Sequence, residues 1–458
     1  MLIVAVFFAR VYVGIVPDWR ILLLPLFFLL MNRFMGVYTS MKTASIIKKT
    51  FILSLSLIFT CLLGLLLKLH SSIVLLWLLL TLGPIILARL FLGLPYSKRQ
   101  NILIKTIKQR GPVLVVGGAG YIGTHLVDLL LKEGESVRVL DRLMYGWEPL
   151  SAFAGNKNFE LIEGDATDIV KLTTAMKGAS AVVHLSGLVG DPSCAVDPNF
   201  TRHTNIIATR MVKDVAQSLG IYRFIFASSC SVYGVSEKEV REGGELNPVS
   251  LYAQTKIDSE KELLFSVSDD FFVTVLRFAT VFGHSYRPRF DLVANFFTAQ
   301  AMNNGIITVT GANNWRPFIH VRDLAKAIML TLKADPITIQ SQIFNVGDRR
   351  LNMTILQLAE VVKSVVSKFR DVEIVVNDDV EDRRNYSVSF EKIHSILKFE
   401  AETQMMDGIM EIADNFRSGK YKSYSDPIYS NVKMTEEALA AFYDPSNIAH
   451  LYAPLSND

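Results

Sequence analysis

The chain has 458 residues, of which 50% are hydrophobic and only 20% charged, with a mean hydropathy of +0.31. Its formal charge of +3 hides two unlike parts: residues 1–110 hold 13 Lys+Arg and one acid, Asp18, whereas the remainder holds 34 basic and 43 acidic residues. That split excludes a uniformly basic nucleic-acid binder, and three scattered cysteines (Cys61, Cys194, Cys230) exclude a disulfide framework or a metal knuckle.

In chain order, the first elements are apolar runs. Phe51 to Leu67 carries no charge, and Ser72 to Leu94 is broken only by Arg89. Each is close to the ~20 residues that cross a bilayer core. Two weaker runs precede them, Leu2 to Val16 with Arg10 inside, and Ile21 to Val37 with Asn32 and Arg33 inside. Residues 1–94 are therefore read as about four transmembrane helices. The first run lacks the basic leader and small-residue cleavage site of a signal peptide. Lys42, Lys48 and Lys49 follow the second run, and Lys98, Arg99, Lys105, Lys108 and Arg110 follow the fourth. The positive-inside rule places both basic segments in the cytoplasm, which requires an even number of crossings. The expectation is a multi-pass protein of the inner (cytoplasmic) membrane, in contact with the lipid bilayer, with its larger part facing the cytoplasm.

Residues 95–111 form a basic linker, and a new pattern begins at Pro112. Val113 to Val116 reads as a buried strand, followed by Gly117-Gly-Ala-Gly120-Tyr121-Ile122-Gly123 and an apolar helical pattern through Leu131. A second strand, Ser136 to Leu140, ends in Asp141, 18 positions after the last glycine. A dinucleotide site needs this order, because glycines permit the tight turn and let backbone approach pyrophosphate at a helix N-terminus. The acid then accepts hydrogen bonds from the adenosine ribose. Asp141 favours NAD over NADP, since a 2′-phosphate would meet a carboxylate; Arg142 beside it is the residue that would suit one. Strand patterns recur at Phe159–Glu163, Ala181–Leu185 and Phe224–Ser228 with helical patterns between them. The reading is an α/β, Rossmann-type doubly wound parallel sheet with ligands at the carboxyl ends of its strands.

Those strand ends carry a resemblance. Gly117-x-x-Gly120-x-x-Gly123, Gly164-Asp165, His184-Leu185, Ser229-Cys-Ser-Val-Tyr233-Gly234 and Tyr252-Ala-Gln-Thr-Lys256 stand in order. Leu276 to Gly283, Arg316 to Asp323, Phe344 to Gly347 and Asp382 to Tyr386 follow them. Together they resemble the extended short-chain dehydrogenase/reductases, specifically the NAD-dependent nucleotide-sugar epimerase/dehydratase family, from about Pro112 to about Phe416. The stretch Leu22 to Leu67, with Gly36-Val-Tyr38 before a basic segment, more loosely resembles the membrane region of polyprenyl-phosphate sugar-phosphate transferases.

The resemblance implies one domain over 112–418, NAD-binding with a small C-terminal substrate lobe, and a C-terminal extension over 419–458. It implies Tyr252 as acid/base, Lys256 as its partner and as a holder of the nicotinamide ribose, and Ser229 as a hydrogen-bond donor to the reacting sugar oxygen. On a helix the i, i+4 spacing puts ammonium beside phenol, where a cation lowers the phenol's pKa. The glycine loop with Tyr121 and Ile122 would hold pyrophosphate. Asp141, Asp165, Ala166 and Leu185 complete the cofactor set. Arg287, Arg289, Arg316 and Asn295 are the candidate contacts to a substrate diphosphate, since arginine forks suit phosphate. No metal site is expected. His184 and His320 lie in apolar strand contexts and read as packed histidines, while Cys194 and Cys230 lack a paired base.

Dehydratases of this family place Asp-Glu after the Ser/Thr, and here Cys230 and Ser231 stand there. The expected reaction is therefore C4 epimerisation of a nucleotide-activated sugar through a transient ketosugar. Its alternatives are a reductase or dehydrogenase of a nucleotide-linked ketosugar, an epimerase of a polyprenyl-diphosphate-linked sugar, and a membrane scaffold retaining an NAD fold. By analogy with the family, a homodimer is expected. Residues 419–458, with one helical run at Thr435–Phe442, read as a packed or partner-binding extension.

Overall fold

The computed structural model describes residues 111–268, 270–377, 384–421 and 423–443. Among them no helix is long and apolar enough to cross a membrane. The four spans expected over 1–94, the linker and the end of the C-terminal extension lie outside the described residues.

Seven strands form one parallel sheet: β1 (Val113–Val116), β2 (Val137–Asp141), β3 (Phe159–Glu163), β4 (Ala181–His184), β5 (Arg223–Ser229), β6 (Phe272–Phe278) and β10 (Gln342–Val346). Their spatial order is β10-β6-β5-β4-β1-β2-β3. Val113 pairs with both Val137 and Ala181, so β1 lies between β2 and β4 and the strand order reverses there. Loops leaving β1 and β4 diverge at such a point and open a crevice over the carboxyl ends of the strands.

The central strands β1, β4, β5 and β6 are buried on both faces, which is why their sequences are largely apolar runs, whereas the edge strand β3 is partly exposed and carries Glu160 and Glu163. Alternate residues of β1 serve different cores. Val113 and Val115 join the cluster holding Leu126, Val127 and Leu130 of α1 (Gly123–Lys132), whereas Leu114 and Val116 pack with Leu172 and Met176 of α2 (Ile169–Met176) and Val212 of α3 (Ala208–Ser218). Helix α4 (Leu251–Phe265) carries Ile257 into the first cluster and Leu263 into the second.

A smaller lobe follows. Strands β7 (Thr280–Phe282), β9 (Trp315–His320) and β11 (Asn352–Thr354) form one sheet, and β8 (Ile306–Val309) pairs with β12 (Glu373–Val376). Helices α5 (Val293–Asn304), α7 (Ile355–Val366) and α8 (Met405–Arg417) surround its core, while α6 (Val321–Lys333) packs against α1. The last described element is α9 (Asn431–Phe442). The five strands read from the sequence agree with β1 to β5 to within a residue; β6 and β10 were read only as motif segments, and α9 starts four residues before the expected Thr435.

Candidate active site

The crevice holds a cavity of about 550 Å³ whose lining includes residues from the ends of β1, β2, β4, β5 and β7 and from α4. That volume suits a small-molecule or cofactor site. Gly117, Gly120, Tyr121, Ile122, Gly123, Asp141, Asp165, Ala166, Leu185, Ser229, Tyr252, Lys256, Arg287, Arg289 and Arg316 all reach it. Asn295 does not. Its amide accepts from the Gly283 N–H at 3.0 Å and donates to the Tyr121 hydroxyl at 3.1 Å and the Arg289 carbonyl at 2.9 Å. Asn295 therefore fastens the β7 loop to the glycine loop, directly behind Tyr121 and Arg289 of the cavity lining.

The glycines divide by reason. Gly117 has φ +88 and a Cβ there would lie 2.6 Å from the Ser186 nitrogen; a Cβ on Gly123 would lie 2.5 Å from the Gly117 carbonyl oxygen. The turn itself demands both. A Cβ on Gly120 would meet only that same carbonyl, at 3.4 Å. Its want of a side chain serves the cavity rather than the fold, as a site for close backbone approach to pyrophosphate requires. Asp141 accepts from the Ala119 and Leu143 N–H groups, both at 2.9 Å, and burial raises its pKa. Asp165 is turned by bonds from the Thr167 N–H and hydroxyl, both 2.8 Å, and its other oxygen lies 3.6 Å from Arg142. These residues fit a bound dinucleotide.

Ser229 ends β5 and caps the following turn, accepting from the Ser231 N–H at 3.1 Å and the Ser231 hydroxyl at 2.9 Å. Its side chain is near enough to Tyr252 to lower the phenol's pKa by hydrogen bonding. Burial outweighs this and holds Tyr252 above its ordinary value. The Lys256 ammonium lies 5.8 Å from the Tyr252 ring centroid and donates to the Ala227 carbonyl at 2.8 Å. Desolvation pushes Lys256 down to about 8. The i, i+4 spacing brings the two groups near one another, and burial opposes the lowering of the phenol that a neighbouring cation would bring.

The arginines separate as well. Arg289 is held by Asp291 through two bonds of 2.9 Å, so its charge is already matched. Arg287 lies 3.5 Å over the Tyr145 ring, its Nε has no hydrogen-bond partner among the described residues, and desolvation lowers it to about 10. Arg316 bonds the Trp315 carbonyl at 2.8 Å and also the Arg384 carbonyl, and Arg384 pairs with Asp191 at 3.3 Å.

His184 is buried, bonded to Thr209 at 3.0 Å and Ser186 at 3.3 Å, and desolvation lowers it to about 3. His320 caps α6 and lies 3.0 Å from Glu411. Both are packed, hydrogen-bonded histidines. Cys194 and Cys230 are buried, and burial raises both thiols.

Three residues escaped sequence reasoning. Asn205 lies in a wide π turn, His203–Ile207, ahead of α3, and its amide bonds the Leu188 N–H, the Leu188 carbonyl and Thr255. Such turns favour functional sites but leave no signature in hydrophobic spacing. Asp191 accepts from Ser250 at 2.6 Å beside the catalytic helix. Asn431 comes from the C-terminal extension and lines the cavity.

The chain is similar to known proteins in sequence and fold. UDP-glucose 4-epimerase of Lactobacillus helveticus is 26% identical over 342 residues, covering 69% of this chain and 99% of that protein. UDP-glucuronic acid decarboxylase 6 of Arabidopsis thaliana is 29% identical over 319 residues, covering 67% and 88%. Among solved structures, MoeE5 in complex with UDP-glucuronic acid and NAD is 27% identical with a TM-score of 0.59, covering 68% of this chain and 100% of that one. The model of the NAD dependent epimerase/dehydratase family matches residues 113–347, just over half of the chain. With its glycine loop, its Ser229, Tyr252 and Lys256, and this match together, the chain belongs to the NAD dependent epimerase/dehydratase family and is an enzyme with NAD as its cofactor.

Proposed function

We propose that the protein is a nucleotide-sugar C4 epimerase acting on a UDP-linked hexose or hexuronic acid. One observation carries the reading: Ser229, Tyr252 and Lys256 share the cavity, while Cys230 and Ser231 put no acid or base beside them. Water elimination lacks its extra groups, whereas oxidation and reduction at one carbon needs only the three present. Tyr252 takes the C4 hydroxyl proton and later returns it, and Ser229 donates to the same oxygen. Lys256 supplies the positive charge that ionisation of the buried phenol requires. Bound NAD supplies the hydride acceptor and donor at C4 and ends the cycle unchanged. Arg316 and Arg384 are positioned for the diphosphate. The relatives named for UDP-sugars support uridine as the nucleotide.

A second reading follows from the decarboxylase likeness. A sugar bearing a C6 carboxylate becomes a β-keto acid once C4 is oxidised; it then loses CO2, the C5 enolate so formed takes up a proton, and return of the hydride to C4 gives the pentose. The two are separated by incubating the full-length protein in detergent with UDP-, GDP- and polyprenyl-diphosphate-linked sugars and identifying the products. A 4-epimer with no net NADH supports epimerisation. A pentose with CO2 supports decarboxylation, and steady consumption of NADPH would sink both in favour of a reductase.

The apolar runs of residues 1–94 and their basic flanks support a multi-pass anchor in the cytoplasmic membrane, joined by residues 95–111 to a cytoplasm-facing enzyme. In that setting the product would serve surface polysaccharide synthesis, with a polyprenyl-linked sugar as the alternative substrate and a homodimer as the assembly.

A further inference from the structure

Beyond the family match, which ends at residue 347, the chain returns to the cavity a second time. After α8, Gly419 at φ +74 turns the backbone, and Tyr421 bonds the His284 ring and packs against Phe290, Phe416 and Tyr429. The Phe290 N–H donates to the Tyr429 carbonyl at 3.1 Å, and Arg287 donates to the Ile428 carbonyl at 3.3 Å. The segment then reaches Asn431, which is 5% exposed. Its Oδ1 accepts from the Tyr145 hydroxyl at 3.1 Å, its Nδ2 donates to the Val189 carbonyl at 3.2 Å, and its N–H donates to Asp291 at 3.3 Å. Beyond it, Ala438, Leu439 and Phe442 of α9 join the apolar cluster of Leu188, Cys194, Phe200 and Tyr252.

These three contacts fall on three different loops. Tyr145 follows β2 and Asp141; Val189 follows β4 and Leu185; Asp291 belongs to the loop that carries Arg287 and Arg289. The first two loops leave the carboxyl ends of β2 and β4, the strands on either side of β1, and Tyr145 and Val189 both line the cavity. Bridging a phenol donor to a carbonyl acceptor needs a side chain with both an acceptor and a donor, which an amide provides. Asn431 and Val432 also line the cavity directly.

We propose that Asn431 is a positioning residue: it buckles residues 423–443 across the cavity and keeps the dinucleotide in place through turnover. The proposal rests on the C4-epimerase reading, because an enzyme that regenerates its cofactor in place has reason never to release it. The test uses the full-length protein in detergent, with bound NAD quantified after prolonged dialysis and its dissociation rate measured. Asn431→Ala removes two side-chain bonds, and Tyr145→Phe removes one while keeping the ring under Arg287. Wild type is expected to retain NAD. Asn431→Ala is expected to release it on the order of tenfold faster, and Tyr145→Phe by a smaller factor. Added NAD should restore kcat in both variants, which a merely structural defect would not allow. Variants that fold and hold NAD as wild type does would overturn the proposal, as would lost activity that NAD does not restore. If Asn431→Ala fails to fold, Tyr145→Phe decides alone. A wild type that retains no NAD would instead count against the epimerase reading itself.

Discussion

At the scale of single residues, the two glycines of the phosphate loop make opposite demands. Gly120→Val should leave the ligand-free melting temperature within a few degrees while weakening NAD binding at least tenfold, because its new side chain enters the cavity. Gly123→Ala should lower the melting temperature even without NAD, because its Cβ has no room beside the Gly117 carbonyl. A calorimetric scan paired with NAD titration separates the two. Tyr252→Phe removes the proton carrier and should reduce sugar conversion by about 10²–10⁴-fold with NAD still bound; unimpaired turnover would disprove the assigned role. His184 gives a pH signature. Its folded pKa, about 3, lies below the ordinary 6.5, so the unfolded chain binds a proton that the folded one refuses. Stability should therefore fall as pH drops from 6.5 toward 3, by up to about 1.4 kcal/mol per pH unit from this group. A His184→Gln variant should show a correspondingly shallower slope in denaturant unfolding. The tyrosine and lysine were legible because helical spacing is local, whereas Asn205 and Asn431 were not, because their partners lie in distant loops.

Among the elements, α4 joins the chemistry to the sheet. Tyr252, Lys256 and Glu260 stand at i, i+4 and i+8 and are all buried, so the polar stripe of this helix faces inward. Glu260 forms a paired contact with Arg277 of β6, at 2.6 and 2.9 Å, and accepts from Ser228 at 2.5 Å. Arg277 also bonds Tyr233 at 3.0 Å. Glu260→Ala strands a buried guanidinium and should cost about 3–5 kcal/mol, with Glu260→Gln costing less. Chemical denaturation measures the difference, and equal stability of Glu260→Ala and wild type would refute it. Strands β1 to β5 could be read to within a residue because short runs of apolar and β-branched side chains bounded by turn residues mark them, whereas β6 and β10 entered the reading only as motif segments. The inward polar stripe of α4 defeats simple amphipathic reading, and only the Ser229 and Tyr252 motifs revealed its purpose. The early start of α9 had no apolar periodicity to announce it; its first residue is fixed by hydrogen bonds to three loops.

For the molecule as a whole, the near-neutral total charge describes neither part of the chain. A basic, apolar N-terminal region precedes an acidic enzyme whose sheet order opens the single crevice proposed to take both NAD and sugar. The fold class and the glycine-loop and Tyr-x-x-x-Lys part of the cavity lining were legible because glycine turns, strand ends and the Tyr252/Lys256 spacing are local patterns. The partners of Asn295 and the desolvation of the Tyr252 phenol were not legible, since amide partners and burial arise only when distant segments pack. The central claim is that one hydride leaves C4 and returns to the same carbon. The direct measurement is to give the protein a UDP-hexose deuterated at C4 in ordinary water and to locate the label in the product. The expected result is a 4-epimer that keeps its deuterium at C4 with no net change in NADH. Deuterium lost to water, or accumulating in released NADH, would contradict it.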